Sequence, residues 1–374
     1  MPVFGAVGAA LAMAAVLSAQ PERDGRRWTQ EWTGEAAAAE RIEVRASGRV
    51  VVRGADRDDV RYTLTTRGRS ERGGKWVPVV FQESGVVFER PSGQTLAMNL
   101  RNPVCGNCRV EFLLDIEVPK ATAEIDLVTR AGGIVIQGIA GSVTAHAVGG
   151  SILVDDVQGA VTATTAGGSV RLGTIGGPVN CETAGGSIVL ARSGGQARLV
   201  TSAGMIQVTS VAGDLRAETG GGSIEIGRVE GAVRAKTGGG LIWAADVRNG
   251  MQAEAGAGDI RIDKARGTLV LASGAGDIVA ALQEGASLND SEITTSVGAI
   301  VLSLQESLAL TLEASIDLAR GLRGITSEFP SIQIQRSSRV FGPVSEQAAG
   351  EINGGGSVVR IRNGLGRIEI RKSR

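Results

Sequence analysis

The sequence contains few of the residues on which most enzymatic and metal-binding sites depend. Histidine occurs once, at His146, and cysteine occurs three times in 374 residues. A single histidine excludes a multi-histidine metal site and removes the commonest general base of hydrolases. We therefore predict no catalytic residues, no metal and no cofactor.

Aromatic residues are scarce, and charges of one sign do not accumulate. Phe, Trp and Tyr make up 3 % of the chain against 43 % for the hydrophobic class, so any core must be built from Val, Ile, Leu and Ala. Basic and acidic residues number 39 each, and residues 121–319 contain 12 basic and 20 acidic side chains. This distribution excludes a nucleic-acid-binding face as a partner surface.

Long apolar runs are absent except at the N-terminus, from Pro2 to Leu17. Small residues follow this run before the polar stretch that begins at Gln20, which predicts a secretory signal peptide over residues 1–19, cleaved near Ala19. A retained membrane anchor is the alternative, although the run is shorter than the ~20 residues of a spanning helix. We predict no membrane span in the mature chain and an exported protein, periplasmic, at the cell surface or secreted.

Glycine, with 55 residues, is in clear excess, and it recurs every 18 residues in two series. The second series contains one exception, Asn249, and Asn is the non-glycine residue that best tolerates positive φ. Both series are therefore interpreted as corners selected for their backbone dihedral angles. The first series is Gly150, Gly168, Gly186, Gly204, Gly222, Gly240, Gly258 and Gly276, and the second is Gly141, Gly159, Gly177, Gly195, Gly213, Gly231, Asn249, Gly267 and Gly285.

Between the corners, apolar side chains alternate with polar ones, as in strands that bury one face. Two such short strands in 18 residues cannot bury their faces alone, so successive units must stack coil upon coil. The predicted fold is an all-β, single-stranded β-solenoid with 18-residue coils, right-handed because parallel crossovers are overwhelmingly so. The sequence leaves open whether a coil has two or three faces.

Threonine forms a further column of the repeat, and stacked hydroxyl groups can share hydrogen bonds along a sheet. The column consists of Thr165, Thr183, Thr201, Thr219 and Thr237.

Less regular strands flank the repeats and are expected to cap the solenoid, because its open ends would expose unpaired strand edges. The predicted organisation is the signal peptide, a linker over 20–40, an N-terminal strand region and cap over 41–128, the solenoid over 129–304, and C-terminal strands and cap over 305–374. The predicted flanking strands are 41–52, 60–66, 77–88, 96–100, 109–118, 357–362 and 367–371.

Several motifs together resemble one family. They are the strand pair Ile42–Gly54, the Val118-Pro119 step into the repeats, the Ala-Gly-Gly-Ser-Ile unit Ala184–Ile188, and the closing segments Asn353–Gly356 and Gly366–Ile370. They resemble the bacterial adhesin-like proteins of domain-of-unknown-function family 4097, β-strand-repeat proteins related to autotransporter-adhesin head domains. The resemblance implies an exported β-solenoid without known catalytic residues.

Cys105-Gly-Asn-Cys108 has the spacing of a redox site or of half a metal site. Zinc would require a second pair, and in an exported chain a disulfide across the Gly-Asn turn is the simpler interpretation. Cys181 lies in an inward-facing alanine column and is interpreted as a small buried hydrophobe.

A possible ligand face surrounds Trp243, which falls in an outward column between Glu225 and Arg261. Arg216 and Arg234 stack in another outward column. An exposed indole beside guanidinium groups could hold a sugar ring or an anionic glycan. The alternative is a solvated face with one packed aromatic ring.

Asp259 and Asp277 occupy the same phase one coil apart, about 4.8 Å from backbone to backbone. Retaining glycosidases place two carboxyl groups ~5 Å apart, so a polysaccharide-active enzyme is an alternative function. Serine fills this column in other coils, which favours a turn-forming role for both aspartates.

The sequence therefore predicts a non-enzymatic, exported, adhesin-like binding or scaffold protein of the bacterial cell envelope, with a glycan or an envelope protein as its partner. The alternatives are the carboxylate-pair enzyme and a structural element that assembles end to end through incompletely capped coils.

The disulfide interpretation predicts the number of free thiols. Because Cys105 and Cys108 are paired in it, the mature protein should titrate with one free thiol under denaturing, non-reducing conditions. Titration after reduction provides the control, since all three thiols should then react. Three thiols without reductant would contradict the disulfide.

Overall fold

The computed structural model of the chain describes residues 17–18, 20–24, 27–70, 84–101, 108–284, 289–318, 324–337 and 344–373. Every regular element among these residues is a β-strand, and they include no helix that could cross a membrane. The predicted all-β fold is confirmed. The chain divides into two compact units, Met1–Thr183 and Ala184–Arg374.

The described residues of the first unit form sixteen strands. They are β1 (Leu17–Ser18), β2 (Glu22–Asp24), β3 (Arg27–Ala37), β4 (Arg41–Ala46), β5 (Arg49–Ala55), β6 (Asp59–Ser70), β7 (Gly85–Ser92), β8 (Thr95–Arg101), β9 (Cys108–Pro119), β10 (Glu124–Thr129), β11 (Ile134–Ile139), β12 (Ser142–Ala147), β13 (Ile152–Val157), β14 (Val161–Thr165), β15 (Val170–Ile175) and β16 (Val179–Thr183).

In the second unit, the part of the chain that the structure describes forms seventeen strands. They are β17 (Ile188–Ser193), β18 (Ala197–Thr201), β19 (Ile206–Val211), β20 (Leu215–Thr219), β21 (Ile224–Val229), β22 (Val233–Thr237), β23 (Ile242–Val247), β24 (Met251–Ala255), β25 (Ile260–Ala265), β26 (Leu269–Ala275), β27 (Ile278–Leu282), β28 (Ser291–Gln305), β29 (Leu310–Leu318), β30 (Ile325–Ser327), β31 (Gln333–Ser337), β32 (Val344–Ile352) and β33 (Val358–Ser373).

Strands two apart along the chain pair in parallel, with an offset of 18 residues. Val143 lies beside Val161 in the first unit, and Leu215 lies beside Val233 in the second. Each coil contributes two strands, so each unit contains two parallel sheets that face one another across the core. The predicted β-solenoid with 18-residue coils is confirmed.

The core consists of stacked aliphatic columns, and the second strand of each coil is bent. In β17, Ile188, Leu190 and Ser193 are buried, whereas Ala191 and Arg192 between them are exposed. Two consecutive outward side chains interrupt the alternation, and the residue that follows them is buried again. The bend adds an inward column that simple alternation does not predict: Ile139, Val157, Ile175, Ser193, Val211, Val229, Val247, Ala265 and Leu282.

The glycines of the first corner series are required by packing between coils, which corrects the dihedral-angle interpretation for that series. None of Gly150, Gly168, Gly186, Gly204, Gly222, Gly240, Gly258 and Gly276 has a positive φ. A Cβ on Gly222 would instead overlap the carbonyl oxygen of Gly204, one coil earlier, and a Cβ on Gly240 would overlap that of Gly222. The backbones approach too closely at this corner for any side chain.

In the second series, Gly267 has the predicted positive φ, at +81°, whereas Asn249 lacks one, and Gly285 lies outside the described residues. The neighbour of Asn249, Gly250, has φ +82°. The turn therefore uses the glycine after Asn249 for the left-handed conformation, and the interpretation of Asn249 as a positive-φ residue was wrong.

The hydroxyl groups of the threonine column bind the glycine corners. Thr219 Oγ1 donates to the carbonyl oxygen of Gly204 at 2.8 Å and accepts the N–H of Gly222 at 3.2 Å. Thr237 does the same with Gly222 at 2.8 Å and Gly240 at 3.1 Å. Each buried hydroxyl thus connects two consecutive coils at the point where their backbones are closest.

In the first unit, strands from the predicted N-terminal cap extend the solenoid out of chain order. The strand pair β4 and β5 stacks in parallel on β10 and β11, and β8 and β9 stack on β4 and β5. Antiparallel strands then cover the edges: β7 pairs with β8, β6 with β9, and β3 with β6. These strands satisfy edge groups that would otherwise be open to other chains.

In the second unit, the last strand is inserted between earlier ones. β33 is one continuous strand, where the sequence predicted a pair, and lies between β28 on one side and β29 and β30 on the other. β32 pairs antiparallel with β29, and β31 with β32. The described residues between 324 and 352 therefore supply three strands beyond those that the sequence predicted for the C-terminal region.

The predicted signal peptide falls largely outside the described residues. Leu17 and Ser18 pair antiparallel with Thr33 and Trp32, whereas residues 1–16 and Ala19 lie outside. The signal peptide stays a prediction.

The corner packing predicts opposite effects for two adjacent glycines. Gly222→Ala should lower the free energy of unfolding by about 2–4 kcal/mol, because the new methyl forces the coils apart. Gly221→Ala is the matched control, since a Cβ there would have nothing within 4 Å and its φ is not positive. It should be neutral or stabilising by up to ~1 kcal/mol. Equal urea midpoints for the two variants would refute this packing.

The threonine column predicts a second pair of variants. Thr219→Val keeps the shape but leaves a carbonyl and an N–H without their hydroxyl partner, which should cost about 1–3 kcal/mol in urea unfolding. Ala255 occupies the same column without a hydroxyl. Ala255→Thr should therefore stabilise by about 1 kcal/mol. A destabilised Ala255→Thr variant would show that the hydroxyl does not fit the column.

Candidate functional site

A long surface groove of about 840 Å³ follows one corner of the second unit. We call it the corner groove. Its lining forms three rows, each with about one residue per coil. The outward row is Val200, Glu218, Lys236, Glu254, Ala272 and Thr294; the threonine row is Thr201, Thr219, Thr237, Ala255 and Ser273; and the turn row is Ser202, Gly220, Gly238, Gly256, Gly274 and Ser296.

The residues of the turn row have small side chains or none, because the backbones of successive coils also stack closely at this row. A Cβ on Gly220 would overlap the carbonyl oxygen of Ser202, and a Cβ on Gly238 would overlap that of Gly220. Gly256 and Gly274 repeat the arrangement. The floor of the groove is therefore peptide backbone without side chains over four successive coils.

The N–H groups of three glycines of this floor are occupied within the protein. The N–H groups of Gly220, Gly238 and Gly256 donate to the carbonyl oxygens of the threonine row one coil earlier, at 3.0–3.3 Å. The threonine hydroxyls bind the glycine corners. The floor therefore offers mainly van der Waals contact to a ligand.

Charged groups are confined to the outward row, where they are paired. Lys236 Nζ lies 2.8 Å from Glu254 Oε2, and Arg216 Nη2 lies 2.8 Å from Glu218 Oε1. The hydrogen bond from Lys236 is the main cause that holds the pKa of Glu254 below its usual range. Gln252 also donates to Glu254, at 3.3 Å. The wall thus combines donors and acceptors with mutually compensated charges.

The ligand face expected around Trp243 is divided between two sheets. Trp243 lies beside Glu225 and Arg261 on one sheet, as expected. Its indole Nε1 donates to Asp263 at 2.9 Å, and Arg261 binds the same carboxylate at 2.9 Å.

Arg216 and Arg234 lie side by side on the other sheet, pointing outward next to the charged row of the corner groove. The structure therefore does not bring the four predicted residues into one site. It places the two arginines beside the outward row, outside the groove lining, and leaves Trp243 with Arg261 on the other sheet.

Asp259 and Asp277 act on the turns. Asp259 Oδ1 accepts the N–H of Asp277 at 2.8 Å, and Asp277 Oδ1 accepts the N–H of Ala299 at 2.7 Å. Each carboxylate thus binds the backbone of the following coil.

The cysteines contribute no described site. Cys105 lies outside the described residues and Cys108 begins β9, so the predicted disulfide stays a prediction. Cys181 is free and buried, and burial raises the pKa of its thiol to about 12. Among the described residues, no group of three or more His, Cys, Asp or Glu side chains could hold a metal ion.

Sequence reasoning missed the corner groove, although a signal was present. The glycines at 220, 238, 256 and 274 form another column with the 18-residue period. A column of glycines next to a column of threonines marks a corner without side chains.

Comparisons with known proteins give remote structural similarities. No protein-family model and no curated protein matches the sequence. A proposed adhesin from Parabacteroides distasonis ATCC 8503 is 12 % identical, with 74 % of this chain and 96 % of that chain covered and a TM-score of 0.37. A proposed adhesin from Parabacteroides merdae ATCC 43184 is 10 % identical, with 75 % and 97 % covered and a TM-score of 0.31.

A proposed lipid-binding protein from Parabacteroides distasonis ATCC 8503 is 14 % identical, with 92 % of this chain and 97 % of that chain covered and a TM-score of 0.24. At such identities and TM-scores, function has to be argued from the residues of this chain. The resemblance to family 4097 stays a prediction.

Proposed function

We propose that this protein is an exported, adhesin-like binding or scaffold protein of the bacterial cell envelope and that it is not an enzyme. The corner groove carries the proposal, because a surface depression of about 840 Å³ repeated over successive coils suits binding along its length. The solenoid keeps the rows in fixed register, so the groove is formed before any ligand arrives. Preorganisation of this kind lowers the cost of binding.

The aspartate pair supports binding over catalysis. A retaining glycosidase needs one carboxyl group as a nucleophile and the other as an acid, both free to reach the sugar. Here Asp259 and Asp277 each accept a backbone N–H from the next coil. They therefore stabilise turns.

Export can be tested with the full-length chain carrying a C-terminal tag in a bacterial host. The protein should reach the periplasm, the cell surface or the medium with a new N-terminus at Gln20. Leu11→Arg, which interrupts the apolar run, should leave the protein unprocessed in the cytoplasm. An unprocessed cytoplasmic wild-type protein would overturn export.

Binding without catalysis is tested on isolated cell envelopes. The purified protein should co-sediment with envelopes in a saturable manner and release no reducing sugar ends. Release of reducing ends that stops in Asp277→Asn would establish the enzyme instead. Failure to co-sediment with envelope fractions would overturn the binding function.

A further inference from the structure

The length and openness of the corner groove favour a polymer as its ligand. The outward row spans six coils, so the groove extends over about five strand spacings, or ~24 Å. Compact small molecules are usually held in pockets that bury most of their surface. A groove open along one side instead fits a chain that continues past both ends.

The floor is suited to the C–H face of sugar rings. Four stacked glycines present peptide planes and Cα atoms without projecting side chains, and their N–H groups are used between coils for Gly220, Gly238 and Gly256. A linear polysaccharide has flat rings with C–H groups on their faces and hydroxyl groups at their edges. Its ring faces can lie on the floor in van der Waals contact.

The charged wall is suited to the hydroxyl edges of an uncharged sugar. Glu218 and Glu254 provide acceptors and Lys236 between them provides donors, at the spacing of successive coils. Because Arg216 compensates Glu218 and Lys236 compensates Glu254, Arg234 beside Arg216 is left as a single additional positive charge, too little to select an ionic polymer. The wall can form hydrogen bonds without selecting for a charged ligand.

Two other occupants fit less well. An extended peptide that adds as a strand needs an edge with free backbone groups, and the floor N–H groups of Gly220, Gly238 and Gly256 are already paired between coils. An acyl chain gains by removing apolar surface from water, and an open groove with a charged wall would leave much of it hydrated.

We propose that the corner groove binds a linear, uncharged polysaccharide, lengthwise along the coils. This assignment rests on the binding function proposed above and names the ligand class of that site.

A steric variant with a matched control tests the location. Ala272 is exposed in the outward row between Glu254 and Thr294, so Ala272→Trp should fill the groove without entering the core. Ala191 is an exposed alanine at the bend of β17, on the other sheet. Ala191→Trp adds the same indole outside the groove. Matching urea midpoints establish that both variants fold.

The binding assay uses an array of neutral linear oligosaccharides, their uronate and sulfated counterparts, and extended peptides, at one fixed ionic strength. The full-chain protein should bind neutral members and reject the charged counterparts. Ala272→Trp should weaken that binding at least tenfold, whereas Ala191→Trp should leave it within twofold.

A charge variant tests the wall separately. Glu218→Gln combined with Glu254→Gln leaves Arg216 and Lys236 without their partners. The double variant should acquire binding to sulfated members that the wild type rejects, and this binding should weaken as salt rises. Unchanged rejection of the sulfated members would overturn the role given to the paired charges.

The remaining outcomes separate the inference from the proposed function. Glycan binding that survives Ala272→Trp overturns the groove as the site. Preference for charged glycans or for peptides overturns the ligand class. Envelope co-sedimentation without binding to any neutral oligosaccharide overturns this inference and leaves the binding function standing.

Discussion

The spacing between coils at the glycine corner is the constraint on which the rest of the structure depends. Parallel strands lie about 4.8 Å apart, and at this corner the backbone of one coil meets the carbonyl oxygen of the coil before it. A Cβ at Gly222 or Gly240 would occupy the space of that oxygen. The threonine hydroxyls add hydrogen bonds at the same place, so each corner is both closely packed and polar. The 18-residue period follows, because every coil must return to this point in register.

The same constraint connects the fold to the proposed site. Close backbone stacking removes the side chains from Gly220, Gly238, Gly256 and Gly274 as well. This strip has no side chains, whereas the neighbouring outward row has long charged side chains. The difference in height between the two forms the groove. The surface feature that suits an extended ligand is therefore a by-product of how the coils stack, and the ligand preference is set by the outward row, where substitution does not disturb the core.

Much of the fold could be predicted from the sequence because strict periodicity reports directly on stacking, as in the glycine series and the alternation of apolar and polar side chains between them. The column of Val211 was missed because alternation changes phase beyond the bend, and the insertion of β33 was missed because no repeat marks it. Sequence spacing also cannot distinguish a required dihedral angle from a lack of space at a glycine. The groove and the separation of Trp243 from the two arginines depend on which outward residues lie on the same sheet and on how much space their side chains leave. The 18-residue register alone does not determine either.

The repeated construction also determines how such a groove binds. A ligand with identical units meets a similar floor in each coil, so its contacts accumulate over several weak interactions and no single residue dominates. Removing one wall group, such as Lys236, then deletes a small part of the total. A bulky side chain at one coil interrupts the path for the whole polymer, since the chain cannot leave the groove and re-enter it without bending. Steric obstruction at Ala272 is therefore a stronger perturbation than loss of any one hydrogen bond, which is the reverse of what a compact pocket with one anchoring residue would show.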